Sequence, residues 1–231
     1  MKSAVRAVYV LVALLSLVQP LGSASADIVL SELIVDLQRG SHTREDIEIW
    51  NNDSSRAYVA VEPAEILHPG RADQERRVEP DPEKLGLFVA PTRMILEPGQ
   101  RKLIRLAVLG PDASRERVYR VTVKPVSGPL SSEKSGLKVL VGYDALVLVR
   151  PEHIQPSVTG RRTAKSLILH NDGNVSVELI DGRQCDDTRQ HCVPLPSKRL
   201  YPGAEWTQTL SDSGSVDYSA KSPAGTVPLR F

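Results

Sequence analysis

The chain of 231 residues is 41% hydrophobic and 25% charged, and its 29 basic and 28 acidic side chains give a formal net charge of +1. This balance supplies no positive field for a nucleic acid and no polybasic tether for a membrane surface. The length suits two domains of ordinary size.

The first 26 residues predict a secretory signal peptide. Lys2 and Arg6 give a positive start, an apolar run follows, and Ala24-Ser25-Ala26 is a small-x-small cleavage site. A transmembrane anchor is the alternative, but the apolar run is shorter than the roughly 20 residues that a span needs. We therefore expect export, removal of residues 1–26, and no membrane insertion.

Short alternating or β-branched runs, separated by Gly, Pro and Asn, predict strands along the first part of the mature chain. In chain order these runs cover residues 28–37, 46–51, 56–66, 87–91, 93–96, 100–108, 118–126 and 137–149. Such a series, with a turn after each strand, is typical of an antiparallel immunoglobulin-like sandwich. We assign residues 27–150 to this first domain.

The strand pattern begins again after Pro151. The predicted strands cover residues 166–170, 175–181, 205–210, 215–220 and 227–231. We assign residues 155–231 to a second, smaller β-sandwich, so the predicted fold is all-β, with two immunoglobulin-like domains set at an angle. Beyond the shared strand pattern, the two halves show no sequence repeat.

The chain has two cysteines, Cys185 and Cys192. An even number in an exported protein indicates a disulfide. Zinc is the alternative, because His191 is adjacent, but no second Cys or His pair completes four ligands. We expect a disulfide, no metal and no cofactor.

The sequence carries none of the motifs of a catalytic site. A nucleophile elbow, an H-E-x-x-H pair, a P-loop and a dinucleotide fingerprint are all missing. The histidines are scattered, at His42, His68, His153, His170 and His191. We therefore predict that the protein is not an enzyme.

The run from 137 to 149 is the most informative part of the chain because it is long and almost wholly apolar. Its odd-numbered residues, from Leu137 to Val149, fall on one face of a strand. Exposed strands of this kind template aggregation, and edge strands are normally short or charged. The run is therefore either the closing strand of its own sandwich or a strand meant for another protein.

Several segments together resemble the periplasmic pilus chaperones, and most closely those of class 5 (colonisation-factor) fimbriae. They are GLFVAP at 86–91, LEPGQ at 96–100, LIRL at 103–106, VYRV at 118–121, the junction at 145–151, HNDGNV at 170–175, LHPG at 67–70 and the cysteine pair. The resemblance covers essentially the whole mature chain.

The resemblance implies that the protein donates a strand to pilus subunits, which are incomplete immunoglobulin folds. The donor positions would be Leu137, Val139, Val141 and Tyr143. It also implies a periplasmic location, transfer of subunits to an outer-membrane usher, and a free form that covers its apolar strand as a homodimer.

This family anchors the subunit's terminal carboxylate with two basic residues, one on the first strand and one on the donor strand. The matching positions here, near Ile34 and at Leu146, are not basic. The remaining candidates for the anchor are Arg120, Arg105 and Arg150. Arg150 more closely resembles a structural residue between the domains, with Asp217 as its candidate partner.

A rival interpretation is a secreted structural or adhesive β-sandwich protein, such as a pilus component. A pilus subunit would carry an alternating apolar extension ahead of its first strand. Here Asp27 leads directly into the first predicted strand, which favours the chaperone.

Overall fold

The computed structural model describes residues 28–126, 140–186, 188–211 and 213–231. The predicted signal peptide lies outside these residues, and so do the predicted donor positions Leu137 and Val139. Within the described residues, no helix is long and apolar enough to cross a membrane.

The first part of the chain forms ten strands and one short helix, α1 (Pro82–Leu85). The strands are β1 (Ile28–Leu30), β2 (Ile34–Gln38), β3 (Arg44–Asn51), β4 (Ala57–Leu67), β5 (Glu75–Arg77), β6 (Leu87–Ala90), β7 (Arg93–Leu96), β8 (Arg101–Val108), β9 (Arg117–Val126) and β10 (Tyr143–Arg150). They form two sheets, with orders β1-β3-β8-β6 and β2-β10-β9-β4-β5, and β7 pairs with β4.

The second part of the chain forms two further sheets. Its strands are β11 (Val158–Arg162), β12 (Ser166–Asn171), β13 (Val177–Cys185), β14 (Cys192–Pro194), β15 (Lys198–Leu200), β16 (Glu205–Thr209), β17 (Ser215–Ser222) and β18 (Gly225–Arg230). The sheet orders are β11-β12-β16 and β14-β13-β17-β18, with β15 paired to β13. The predicted all-β fold of two immunoglobulin-like sandwiches is confirmed.

Each sandwich has its own hydrophobic core. In the first, alternate residues of the strands point inward, so that Ile47 and Ile49 of β3 meet Val121 and Val123 of β9. In the second, buried leucines of β12 and β13 pack against Tyr218. This alternation follows from the two-residue period of a strand that buries one face.

The predicted first strand, residues 28–37, is two strands in different sheets. β1 pairs with β3, whereas β2 runs parallel to β10. The chain leaves the first sheet at Ser31, whose amide still donates to the Glu48 carbonyl at 2.9 Å. The sequence shows one apolar run because both pieces bury alternate residues in the same core.

The two sandwiches share a tie built on a buried asparagine. The side-chain amides of Asn51 and Asn171 donate to the carbonyls of Leu96 and Leu200, at 3.1 and 2.7 Å. Each of these leucines begins an L-x-P-G turn, whose glycine amide donates back to the asparagine carbonyl, at 3.0 and 2.8 Å. The prediction of no repeat between the halves is therefore wrong, because the repeated residues are few and far apart in sequence.

Candidate functional site

One edge of β10 is only partly covered. β9 pairs with β10 from Tyr143 to Val149. On the other edge, β2 pairs only from Leu146 to Arg150, and the Leu146 amide donates to the Leu33 carbonyl at 2.8 Å. Among the described residues, no strand pairs with this edge of Tyr143–Ala145, so the edge is open there.

The two faces of β10 pack in different places. Ala145, Val147 and Val149 point into the core of the first sandwich. Leu146 and Leu148 point the other way, into a small cluster that also contains Tyr201 of the second sandwich. The strand therefore has one face in its own core and one face in the cleft between the sandwiches.

Apolar side chains are exposed around the open edge. Val141 is 50% exposed and Leu140 37% exposed, just ahead of β10. Leu33 and Ile34, where β2 begins, are 49% and 53% exposed. These four residues form what we call the apolar rim. Side chains of this kind beside an unpaired strand edge are costly to leave in water.

Tyr143 differs from the other predicted donor positions. Its ring packs against the core of the first sandwich, and its hydroxyl donates to the Ile28 carbonyl at 2.8 Å. Val141 has the same strand parity but lies beyond that core. Tyr143 therefore marks the end of the protein's own core, and Val141 is the described donor position that is free to enter another protein.

Arg120 lies on β9, opposite Leu146 of β10, and its side chain is on the cleft face because its neighbours Tyr119 and Val121 point into the core. Its guanidinium donates to the Asp144 carbonyl at 3.0 Å, and its Nε lies 3.8 Å from the Asp144 carboxylate. The side chain is 36% exposed. Arg120 is the one predicted anchor candidate that reaches the cleft with accessible donors.

A second arginine, Arg76, reaches the same place from β5. It donates to the Thr122 hydroxyl at 2.7 Å and contacts the Asp144 carboxylate at 3.5 Å. Sequence analysis missed Arg76 because β5 has only three residues and no apolar pattern. The pairing of β5 with β4 places it beside the cleft.

Arg105 lies elsewhere. It belongs to β8, in the sheet that does not contain β10, and it points away from the core. Two of its nitrogens donate to the Asp46 carboxylate, at 2.8 and 2.7 Å. These hydrogen bonds hold the pKa of Asp46 below its ordinary value. The structure does not bring Arg105 together with Arg120.

Arg150 is buried between the sandwiches, with its side chain only 4% exposed. It forms two 2.7 Å hydrogen bonds with Asp36, and it contacts Glu116 and donates at 3.0 Å to the Ser176 hydroxyl of the second sandwich. Burial raises the pKa of Glu116, and the charge of Arg150 works against that rise. This network joins the two sandwiches and leaves Arg150 occupied.

The expected pairing of Arg150 with Asp217 is wrong. Asp217 instead accepts from Arg183, Arg189 and Arg230, at 3.3, 2.5 and 2.9 Å. All four residues belong to the second sandwich, on strands β13, β17 and β18 and the turn after β13.

Cys185 and Cys192 form a disulfide, as predicted. They are directly opposite each other in the pairing of β13 with β14. The bond closes the turn that carries Arg189. Both sulfurs are thus used, and among the described residues no group of three or more metal-ligating side chains is found.

Residues 27–155 match the family model for the N-terminal domain of the pili and flagellar-assembly chaperones. The chain belongs to this family. As an assembly chaperone it acts by binding other proteins and not as an enzyme, and this membership also decides against a pilus component. The resemblance to pilus chaperones that the sequence motifs carried is confirmed.

Curated relatives from Escherichia coli align with most of the chaperone. It is 31% identical over 216 residues to a protein named for the CS1 fimbriae, covering 85% of this chain and 89% of that one. It is 29% identical to a protein named for the CFA/I fimbriae, covering 87% and 88%. A third relative, 29% identical over 61% of this chain and 59% of its own length, is the probable fimbrial chaperone EcpE of the O157:H7 strain.

Solved chaperone structures have the same fold. The class 5 fimbriae chaperone CfaA superposes with a TM-score of 0.69 at 23% identity, over 88% of this chain and 98% of that chain. The SafB chaperone of Salmonella enterica, solved in complex with the SafA pilin, is matched by a chain with a TM-score of 0.63 at 15% identity, over 90% and 97%.

Proposed function

We propose that the chaperone works in the periplasm and binds pilus subunits by lending them the open edge of β10. The observation that carries this proposal is the unpaired edge of Tyr143–Ala145 beside the apolar rim. A guest strand there would gain main-chain hydrogen bonds, and its missing core would receive side chains of the donor strand. Burying one Val or Leu fully is worth about 1.5–3 kcal/mol.

The proposed donor residues are Val141, with Leu137 and Val139 ahead of it. Strand residues two apart share a face. Val141 therefore continues the inward face of β10 past Tyr143, where the chaperone's own core ends. A guest sandwich placed there would continue the same hydrophobic layer. The rest of β10, from Leu146 onward, remains an internal strand of the chaperone.

The position of β2 limits how far the guest strand can extend. β2 takes the same edge of β10 from Leu146, so a guest strand must end beside Leu33. β2 runs parallel to β10, and a guest that is also parallel brings its C-terminal carboxylate to this point. Arg120 lies across β10 from it, and we propose Arg120 as the anchor of that carboxylate. Arg150 has its structural role instead.

We further propose that the loaded chaperone passes its guest to an outer-membrane usher. In the free protein, two copies cover each other's apolar rim as a homodimer. Exposed apolar edges support this second proposal, because they seldom stay bare in water.

The test is capture of a tagged pilus subunit from the same strain, co-expressed with the chaperone in the periplasm. Val141→Glu, alone and with Val139→Glu, should greatly reduce recovery of the subunit, since a charge would enter the guest's core. Val227→Glu is the matched control, because Val227 is 56% exposed on β18 of the second sandwich. Undiminished recovery with folded Val141→Glu would reject strand donation at this edge.

A further inference from the structure

The cleft face of the first sandwich carries a compact polar cluster beside the open edge. It contains Arg76, Arg120, Thr122 and Asp144, from strands β5, β9 and β10. The Thr122 hydroxyl donates to the Asp144 carboxylate at 2.8 Å. Both arginines approach the same carboxylate, so the cluster carries one more positive than negative charge.

The arginines are held in place by neutral acceptors. Arg76 makes its short hydrogen bond to the Thr122 hydroxyl, at 2.7 Å, and Arg120 makes its own to the Asp144 main-chain carbonyl, at 3.0 Å. Their distances to the Asp144 carboxylate are longer, at 3.5 and 3.8 Å. The guanidinium groups are therefore positioned without depending on the Asp144 carboxylate, which they contact loosely.

The cluster is also accessible to an incoming group. The side chains of Arg76, Arg120 and Asp144 are 41%, 36% and 47% exposed. A guanidinium with donors left over binds a carboxylate well, because the two groups match in charge and in planar shape. The Asp144 carboxylate can move into water, since it is nearly half exposed already.

The cluster lies where a guest strand must end. Asp144 belongs to the uncovered part of β10, and Arg120 faces Leu146, the first residue that β2 covers. We propose that Arg76 and Arg120 together form one carboxylate site, and that Asp144 occupies this site until the guest's C-terminal carboxylate replaces it. This inference rests on the proposed strand donation.

The replacement keeps the cluster neutralised at every stage. Without a guest, Asp144 offsets part of the arginine charge in the cleft. With a guest, the terminal carboxylate contacts the arginines, which their neutral acceptors keep in position. Asp144 therefore competes with the guest, and removing its charge should tighten binding of a carboxylate.

The test uses two fluorescent ten-residue peptides of alternating valine and polar residues, one ending in a free carboxylate and one in an amide. Binding to the full mature chaperone is measured by fluorescence anisotropy. Asp144→Asn should tighten binding of the carboxylate peptide by about two- to fivefold, the size that an exposed ion pair supports, and leave the amide peptide unchanged. Asp46→Asn, which removes another paired aspartate from the other sheet, should change neither.

Two further variants assign the gain to the arginines. Adding Arg120→Gln or Arg76→Gln to Asp144→Asn should abolish it. Equal tightening of both peptides, or weaker binding by Asp144→Asn, would overturn the inference while leaving strand donation intact. If the wild type binds neither peptide, or if Val141→Glu binds both as well as the wild type does, strand donation itself fails and the inference falls with it.

Discussion

Replacing Arg150 with methionine is expected to destabilise the chaperone by about 3–5 kcal/mol, the usual cost of removing one partner from a buried ion pair. Methionine fills a similar length of space but carries no charge. The Glu116 carboxylate, whose side chain is fully buried, then keeps the hydrogen bond from the Ser176 amide at 2.8 Å and loses its cation. Asp36 suffers less, because its side chain is 50% exposed.

The two tryptophans of the chain allow each sandwich to be followed separately. Trp50 lies on β3 of the first sandwich and Trp206 on β16 of the second. Urea unfolding is measured by fluorescence in Trp50→Phe and Trp206→Phe backgrounds, with and without Arg150→Met. We expect the main loss in the transition reported by Trp50, because Glu116 and Asp36 belong to the first sandwich.

The loss should depend on pH in a defined direction. Burial raises the pKa of Glu116, and the charge of Arg150 lowers it, so removing Arg150 raises it further. Below that raised pKa the folded protein carries a neutral Glu116, and no unpaired charge remains. The destabilisation should therefore be greatest near pH 8 and smaller near pH 5.

A matched double variant tests the same reasoning. Adding Glu116→Gln to Arg150→Met removes the unpaired charge and should recover most of the lost stability. A loss below about 1 kcal/mol in the single variant, or a loss that is the same at pH 5 and pH 8, would refute the argument that an uncompensated Glu116 is its cause.

Three other changes test separate features. Tyr143→Phe removes the hydroxyl bond to the Ile28 carbonyl and should cost about 1 kcal/mol in the first sandwich by urea unfolding, with no effect if that bond is unimportant. Replacing Cys185 and Cys192 by serine opens a short loop and should lower the stability of the second sandwich alone by about 2–3 kcal/mol; an equal fall in both sandwiches would contradict this. Asp217→Asn should destabilise the second sandwich at pH 7. Burial raises the pKa of Asp217, but its arginine partners outweigh this and leave the pKa lowered, so the difference from wild type should disappear near pH 2–3 as the carboxylate of the wild type takes up its proton. A difference that persists at that pH would contradict the charge argument.

The sequence predicts the strands and their faces because both depend on local alternation. The odd-numbered residues of β10 do point into the core, as the pattern at 137–149 indicates. The beginning of β2 at Ile34, and its parallel pairing with β10, could not be predicted. Pairing joins residues more than a hundred positions apart, and nothing local selects the partner.

Side-chain partners were equally hidden in the sequence. Arg150 pairs with Asp36, 114 residues away, and not with the expected Asp217. Arg76 escaped notice because a three-residue strand has too few positions to show a period. Helix α1 did leave a signal, since Asp81 precedes a proline and its carboxylate caps the Glu83 amide at 3.0 Å.

The repeated L-x-P-G turn has a consequence for how such chains are assembled. Its second residue is Glu97 in the first sandwich, where it pairs at the surface with Arg56, and Tyr201 in the second, where it packs onto Leu146 and Leu148 of the neighbouring unit. One acid-to-aromatic exchange thus separates a free end from a joint. A tyrosine at position 97 would offer the same joint to a further unit placed ahead of the first, so the scaffold could in principle be lengthened like beads on a string.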